Sequence, residues 1–182
     1  MAAVDLDVVT ADALDQDARR EIIRLCEAAY GEDFSRWFDE LPGSVHVRAR
    51  DEHRALVSHA AWVTRWLQPA GHPILRTAYV EAVATAPAHQ RQGHATTVLR
   101  RLGDLIRTDP SWQLAALSPS DPAFYARLQW ELWCGPLAIR RGQDVEPTSD
   151  DEQVMILRLP ATPATLVTTS LLTAEWRVGE LW

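Results

Sequence analysis

The stretch Tyr79–Ile106, YVEAVATAPAHQRQGHATTVLRRLGDLI, is where the chemistry of this chain is expected to sit. A continuous apolar run with alternate small residues, Tyr79 to Ala84, leads to Pro87 and then to Gln90-Arg91-Gln92-Gly93-His94-Ala95. Beyond it, Ala95, Val98, Leu99, Leu102, Leu105 and Ile106 recur at helical spacing. Strand, glycine-bearing loop and helix in that order make an anion site. The first turn of a helix leaves N–H groups without carbonyl partners, and their dipoles sum to a partial positive charge that a pyrophosphate can take up. Gly93 lacks a Cβ, so a phosphate can approach the main chain there, and Arg91 adds a permanent cation with a forked donor set.

At 182 residues, with 47% hydrophobic content, the chain suits one domain, residues 1–182, with a sizeable core. A net charge of -7 argues against a nucleic-acid binder that works by neutralising phosphates, and fits a neutral or cationic partner. Cys26 and Cys134 lie in apolar contexts without CxxC spacing, which reads as buried free thiols in a reducing compartment. No apolar run reaches membrane-spanning length, and acids stand where a signal peptide carries bases, so the reading is cytosolic.

Outward from the central stretch, Leu6–Thr10 alternates as a short strand. Asp12 or Asp15 can cap a helix whose apolar face is Ala18, Ile22, Leu25 and Ala29, and Gly31 ends it. The acidic, aromatic connector GEDFSRWFDELPG is a short packed helix or one wall of a cleft. Val45–Arg50 and Ala55–Trp66 form a hairpin, and a third strand starts near Ile74. After the long helix come a strand over Trp112–Ser118, a helix opened by Asp121 that stops near Trp130, and a strand over Leu132–Arg140. Arg141–Glu152 reads as a loop and Val154–Leu159 as the final strand, followed by a tail that ends in EWRVGELW.

Acetylating an amine requires removal of a proton from an ammonium, polarisation of a thioester carbonyl and protonation of a departing thiolate. Glu81 is a lone acid among apolar residues on what should be a central strand. It could take the amine proton directly or through water, hold a cationic hydroxyl-rich ligand, or face solvent at a splayed strand end. Tyr125 could return a proton to the thiolate, or be a core aromatic with a satisfied hydroxyl. Ser118, at the end of a strand, could support a thiolate or ligand hydroxyl, or form the turn before Pro119. Competing chemistries are weaker: no HExxH or cysteine cluster completes a metal set, Ser118 lacks a GxSxG elbow, and GxxxxGK[ST] is absent.

The loop Gln90-x-x-Gly93-x-Ala95 resembles the acetyl-coenzyme A loop of the GNAT acyltransferases. The likeness extends nearly end to end to one family within that superfamily, the aminoglycoside 2'-N-acetyltransferases. It is carried by Leu14–Arg19, by GEDF at 31–34, by YVEAVA at 79–84, by AALS at 115–118, by FYAR at 124–127 and by the terminal EWRVGELW. The resemblance implies an α/β (α+β) GNAT fold, a mixed and mostly antiparallel sheet flanked by helices, acting with acetyl-CoA. It implies that Glu81 is the water-mediated base, Tyr125 the general acid and Ser118 a support. Val83 gives an N–H to the thioester oxygen beside Ala84 and Thr85, and Arg91, Gln92, Gly93, His94, Ala95 and Thr96 hold the pyrophosphate. Asp33, an acid among Asp150, Asp151 and Glu152, Glu180 and the carboxylate of Trp182 would bind substrate ammonium and hydroxyl groups. Those acidic loops also suit a polycation on charge alone.

Two departures stand out: Ala82 where relatives often carry glycine, and Glu180 in place of a shorter aspartate. The substrate so implied is a deoxystreptamine aminoglycoside or a kasugamycin-like one. Another small amine, a protein amine, or a non-catalytic domain binding acyl-CoA or antibiotic are the other readings. An aromatic-rich tail could mediate a homodimer or close the core.

Overall fold

A computed structural model describes residues 4–179 and 181–182. In chain order it contains β1 (Asp5–Thr10), α1 (Gln16–Tyr30), α2 (Trp37–Glu40), β2 (Val45–Arg50), β3 (Leu56–Pro69), β4 (Leu75–Thr85) and α3 (His94–Thr108). There follow β5 (Leu114–Leu117), α4 (Pro122–Ala126), β6 (Glu131–Leu132), β7 (Leu137–Arg141), β8 (Asp144–Pro147), β9 (Met155–Arg158) and β10 (Leu172–Glu175). Contacts gather into two compact units. One holds residues 1–63 and 80–105, the other 64–79 and 106–182.

In the first unit, β1 and β2 run antiparallel from Asp5↔Arg50 to Thr10↔Val45, and β2 pairs antiparallel with the opening of β3. Helix α1 forms where the sequence places it. The Asp15 carboxylate accepts the Ala18 N–H at 2.8 Å as its N-cap, and Gly31 ends it in the left-handed conformation at φ 76°. Its buried stripe of Ile22, Leu25 and Cys26 joins Leu14, Leu56 and Ala84 in one cluster, with Phe34, Phe38 and Ala82 packed against it. The helix is also tied to the sheet electrostatically, Arg50 of β2 forking onto Glu21 of α1 at 2.9 and 2.6 Å, while Arg48 forks across the β1–β2 ladder onto Asp7 at 2.7 and 3.0 Å.

In the second unit the strand order is β6-β9-β5-β4-β3-β10-β7-β8. The β4–β5 and β10–β7 pairs are parallel, and β5–β9, β6–β9, β7–β8 and β3–β10 are antiparallel. The ladder between β4 and β5 runs from Thr77↔Leu114 to Tyr79↔Ala116.

Three expectations for the C-terminal half need correction. The strand expected over Leu132–Arg140 is broken into β6 and β7. Pro136 has no N–H to offer a ladder, and the N–H groups of Cys134 and Gly135 turn aside to the Thr168 carbonyl at 2.8 and 2.9 Å. Gly135 is obligatory in this crossing, since a Cβ there would lie 2.0 Å from the Ser170 carbonyl oxygen. The supposed loop Arg141–Glu152 contains β8, hairpinned onto β7 through Gly142 at φ 62°. Nor does the sheet finish at Val154–Leu159: β10, inside the tail, pairs with both β3 and β7. Cys26 is buried as expected, its thiol pushed up to about 12 chiefly by that burial, but Cys134 is exposed. Among the described residues no helix is long and apolar enough to cross a membrane.

Candidate active site

Glu81 stands half-buried on β4, and the residue after it departs from extended geometry inside the strand, which continues to Thr85. Ala82 has φ 50°, in the left-handed region that residues bearing a Cβ avoid at about 1–2 kcal/mol. The position singled out as an alanine in place of glycine is thus the one where glycine's freedom matters. This departure is held from three sides. The Ala82 carbonyl accepts from His59 Nδ1 at 2.9 Å, the Val83 carbonyl from the Tyr30 hydroxyl at 2.8 Å, and the Ala84 carbonyl from the Ser58 hydroxyl at 3.1 Å. Three successive carbonyls are therefore fixed by side chains.

The Tyr30 contact also seats the loop that carries Asp33, because the Tyr30 ring stacks on Phe34 at 5.3 Å. Asp33 itself is exposed, and its carboxyl is lowered by the Ser35 N–H it accepts at 2.8 Å.

After β4 the chain passes through the 3-10 turn Pro87–His89 and two left-handed residues, Arg91 at φ 59° and Gly93 at φ 88°, before α3 begins at His94. Gly93 has no side chain to cap the helix. The loop's longer amides bend back instead, Gln90 to the Thr85 carbonyl at 3.3 Å and Gln92 to the Ala88 carbonyl at 3.1 Å. The first-turn N–H groups of α3 have no carbonyl partner within the helix, as at any helix start, and are the donors a phosphate would use. His94 is buried at 2% exposure, and its Nδ1 has no partner among the described residues. Burial and the neighbouring His89 hold its pKa down. A glycine-led helix start, an exposed Arg91 and a buried His94 nitrogen without a partner among the described residues fit a diphosphate-bearing coenzyme. Ala95 and Thr96 lie half-buried in the same first turn.

Tyr125, on α4, is buried against Phe124 and Trp130, with ring centroids 5.1 and 6.3 Å away. Asp121 caps this short helix through the Phe124 N–H at 3.2 Å. Burial first, and the Asp121 charge second, push the Tyr125 phenol up to about 12, against a hydrogen bond with Ser120. Full proton transfer from such a phenol to a thiolate near 8.5 is uphill by about 5 kcal/mol, so hydrogen-bond donation suits it better than outright proton release. Ser118 is exposed, just past the end of β5.

The exposed Asp150, Asp151 and Glu152 follow β8, with Asp151 engaged by the Ser149 hydroxyl and its carboxyl lowered by that bond. Trp182 is buried. Glu180 lies outside the described residues. Asp33, Glu81 and the Val83–Thr96 segment belong to the first compact unit, while Tyr125, Ser118, the 150–152 acids and Trp182 belong to the second.

Sequence reasoning missed the supporting residues. Arg65, 1% exposed on β3, fastens the tail by donating to the Leu181 carbonyl at 2.7 Å and the Glu175 carbonyl at 2.8 Å, and by pairing with the Glu175 carboxylate at 3.3 Å. His59 and Ser58 were likewise overlooked. The available signal was polarity out of place: an arginine and a serine–histidine pair inside the long apolar strand LVSHAAWVTRWLQP.

Known proteins resemble this chain in sequence and in fold. Residues 10–133 match the family model described as acetyltransferase (GNAT) domain. An aminoglycoside 2'-N-acetyltransferase of Mycolicibacterium fortuitum is 36% identical over 175 residues, covering 93% of this chain and 87% of the relative. Among solved structures, the GNAT family N-acetyltransferase YhbS of Escherichia coli, in complex with CoA, superimposes with a TM-score of 0.63 at 16% identity, covering 98% of this chain and 96% of that one. Eis1 of Mycobacterium abscessus superimposes with a TM-score of 0.58 at 19% identity over 74% of this chain, which spans only 33% of Eis1. With the loop, the fold and a full-length relative in agreement, the chain belongs to the GNAT acetyltransferases, in the family of the aminoglycoside 2'-N-acetyltransferases.

Proposed function

We propose that the protein transfers an acetyl group from acetyl-CoA to the 2'-amino group of an aminoglycoside, of the deoxystreptamine type or kasugamycin-like, and so confers resistance to it. The observation that carries this reading is the half-buried Glu81 set directly before the left-handed residue Ala82, on the strand that runs into a glycine-led helix start. The 36% identical relative supplies the substrate class.

When bound, acetyl-CoA supplies an acetyl group already activated as a thioester. Arg91 and the N–H groups from Gln92 to Thr96 would hold its diphosphate, and the Val83 N–H, beside Ala84 and Thr85, would serve the thioester as an oxyanion donor. Glu81 receives the proton that the substrate ammonium must lose, directly or through one water. Tyr125 stays protonated at neutral pH and donates a hydrogen bond to the departing sulfur, supported by Ser118. Asp33, the acids at 150–152 and Glu180 attract the polycation, and Trp182 helps to orient it.

The test is thiol release from acetyl-CoA across a panel of aminoglycosides, kasugamycin included. Release with compounds bearing a 2'-amine and none with congeners bearing a 2'-hydroxyl is expected. Equal release with both refutes the regiochemistry, and no release with any compound refutes the enzymatic reading.

A further inference from the structure

Behind Ala82 lies a buried polar chain that the reaction scheme does not use. Ser44 Oγ stands 3.0 Å from His46 Nε2, His46 Nδ1 stands 3.0 Å from His59 Nε2, and His59 Nδ1 stands 2.9 Å from the Ala82 carbonyl oxygen. Ser44, His46 and His59 are all at 0% exposure. Their surroundings are aromatic and cationic. Trp37 meets both rings edge-on at 5.6 and 6.1 Å, Phe38 stacks on His46 at 5.4 Å, and the nearby charges are those of Arg48 and Arg19.

The direction of every hydrogen bond in this chain follows from its last member. A carbonyl can only accept, so His59 Nδ1 carries a hydrogen. In a neutral ring His59 Nε2 is then bare and must accept from His46 Nδ1–H. His46 Nε2 is bare in turn and accepts from the Ser44 hydroxyl. Burial keeps both rings neutral, so one tautomer of each satisfies every nitrogen.

We propose that Ser44, His46 and His59 form a positioning relay that holds Ala82 in its left-handed conformation, and through it sets the aim of Glu81 and of the N–H groups that follow. The relay supplies what the local sequence lacks. A glycine would adopt φ 50° without strain, whereas an alanine must be held there, and a fully buried donor whose own orientation is fixed by two further hydrogen bonds does so. Trp37 and Phe38 close the network off from water, which assigns a task to the aromatic part of the GEDF connector. The catalytic consequence rests on the reading of Glu81 as proton acceptor; the conformational one does not.

The test has two parts. In long-range nitrogen–proton spectra of the wild-type protein, His46 and His59 should each be protonated at Nδ1 and bare at Nε2; the opposite tautomer in either ring overturns the relay. In kinetics with acetyl-CoA and an aminoglycoside that the wild type acetylates, His59→Phe should lower kcat at least tenfold with KM for acetyl-CoA changed less than threefold. His59→Asn, which keeps a donor at the δ position, should recover most of that loss, and in an Ala82→Gly background His59→Phe should cost much less. A purely structural histidine predicts no such rescue by glycine, and equal losses in both backgrounds overturn the proposal. Should no aminoglycoside be acetylated by the wild type, crystal structures of the same variants still decide: Ala82 must leave the left-handed region in His59→Phe, and its staying there refutes the relay.

Discussion

Acidification from pH 7 to pH 5 should destabilise this protein by about 4 kcal/mol, through the His46–His59 pair alone. Burial, reinforced by His59, Arg48 and Arg19, lowers His46 from its ordinary 6.5 to about 3. Burial also lowers His59 to about 4, against the opposing hydrogen bond to Ala82 and with Arg48 adding to the depression. Both rings are therefore neutral in the native state throughout this interval, while in the unfolded chain each takes up a proton as pH drops below its ordinary value. The unfolded state binds more protons, so stability is fully present above that value and is lost as pH falls toward the folded ones. At pH 5 the unfolded chain gains about 1.5 pKa units of binding per histidine, or about 2 kcal/mol each. His94, also lowered, adds in the same direction, whereas the lowered carboxylates of Glu21, Asp33 and Asp151 act only at more acidic pH. Set against a typical total of about 5–15 kcal/mol, this loss should be plain in urea melts at pH 7, 6 and 5. A stability constant to within about 1 kcal/mol over that range, or imidazole resonances of His46 and His59 that titrate near neutrality, refutes the reasoning.

Replacing Ala82 by glycine removes a left-handed strain of about 1–2 kcal/mol and adds an entropic cost of about 0.5–1 kcal/mol, so a net gain of up to about 1.5 kcal/mol is expected in denaturant melts. A loss of stability would show that the His59 contact already holds Ala82 without strain. Tyr125→Phe should reduce kcat about tenfold to a hundredfold with little change in KM for acetyl-CoA, as expected for a donor used chiefly in the transition state. A wild-type rate for that variant removes the phenol from the reaction. Glu81→Gln should lower kcat about a hundredfold or more at neutral pH and recover progressively at alkaline pH, where the amine arrives already deprotonated. A pH-independent deficit, or one confined to KM for the aminoglycoside, makes Glu81 an anchor instead of a base.

Much of the fold was legible because it is written in local terms. The stripe of α1, its Asp15 cap and Gly31 stop, the hairpin of β2 and β3, the Asp121 cap of α4 and the strand–loop–helix around Gly93 depend on residues a few positions apart. The residues proposed for the coenzyme likewise lie close together in the chain, at 83–85 and 91–96. What escaped was long-range. β10 exists because β3 and β7 lie on either side of Leu172–Glu175, and β8 because β7 offers it an edge; neither segment has a strong period of its own. The apolar run is split at Gly135 and Pro136, where the Cys134 and Gly135 N–H groups turn to the distant Thr168 carbonyl and Ser170 leaves no room for a Cβ.

The amino-acid sequence by itself determined the acid at position 81, the non-glycine after it, the cofactor-type turn and the acidic loops, since these are matters of residue type and spacing. Only tertiary structure decided that Ala82 is left-handed, that two histidines thirteen positions apart share a hydrogen bond behind it, and that Arg65 reaches 116 residues along the chain to the Leu181 carbonyl. The physical reason is the same in each case. A buried polar group must find a partner, and which partner lies within about 3 Å depends on how strands are packed, not on what neighbours it in the chain.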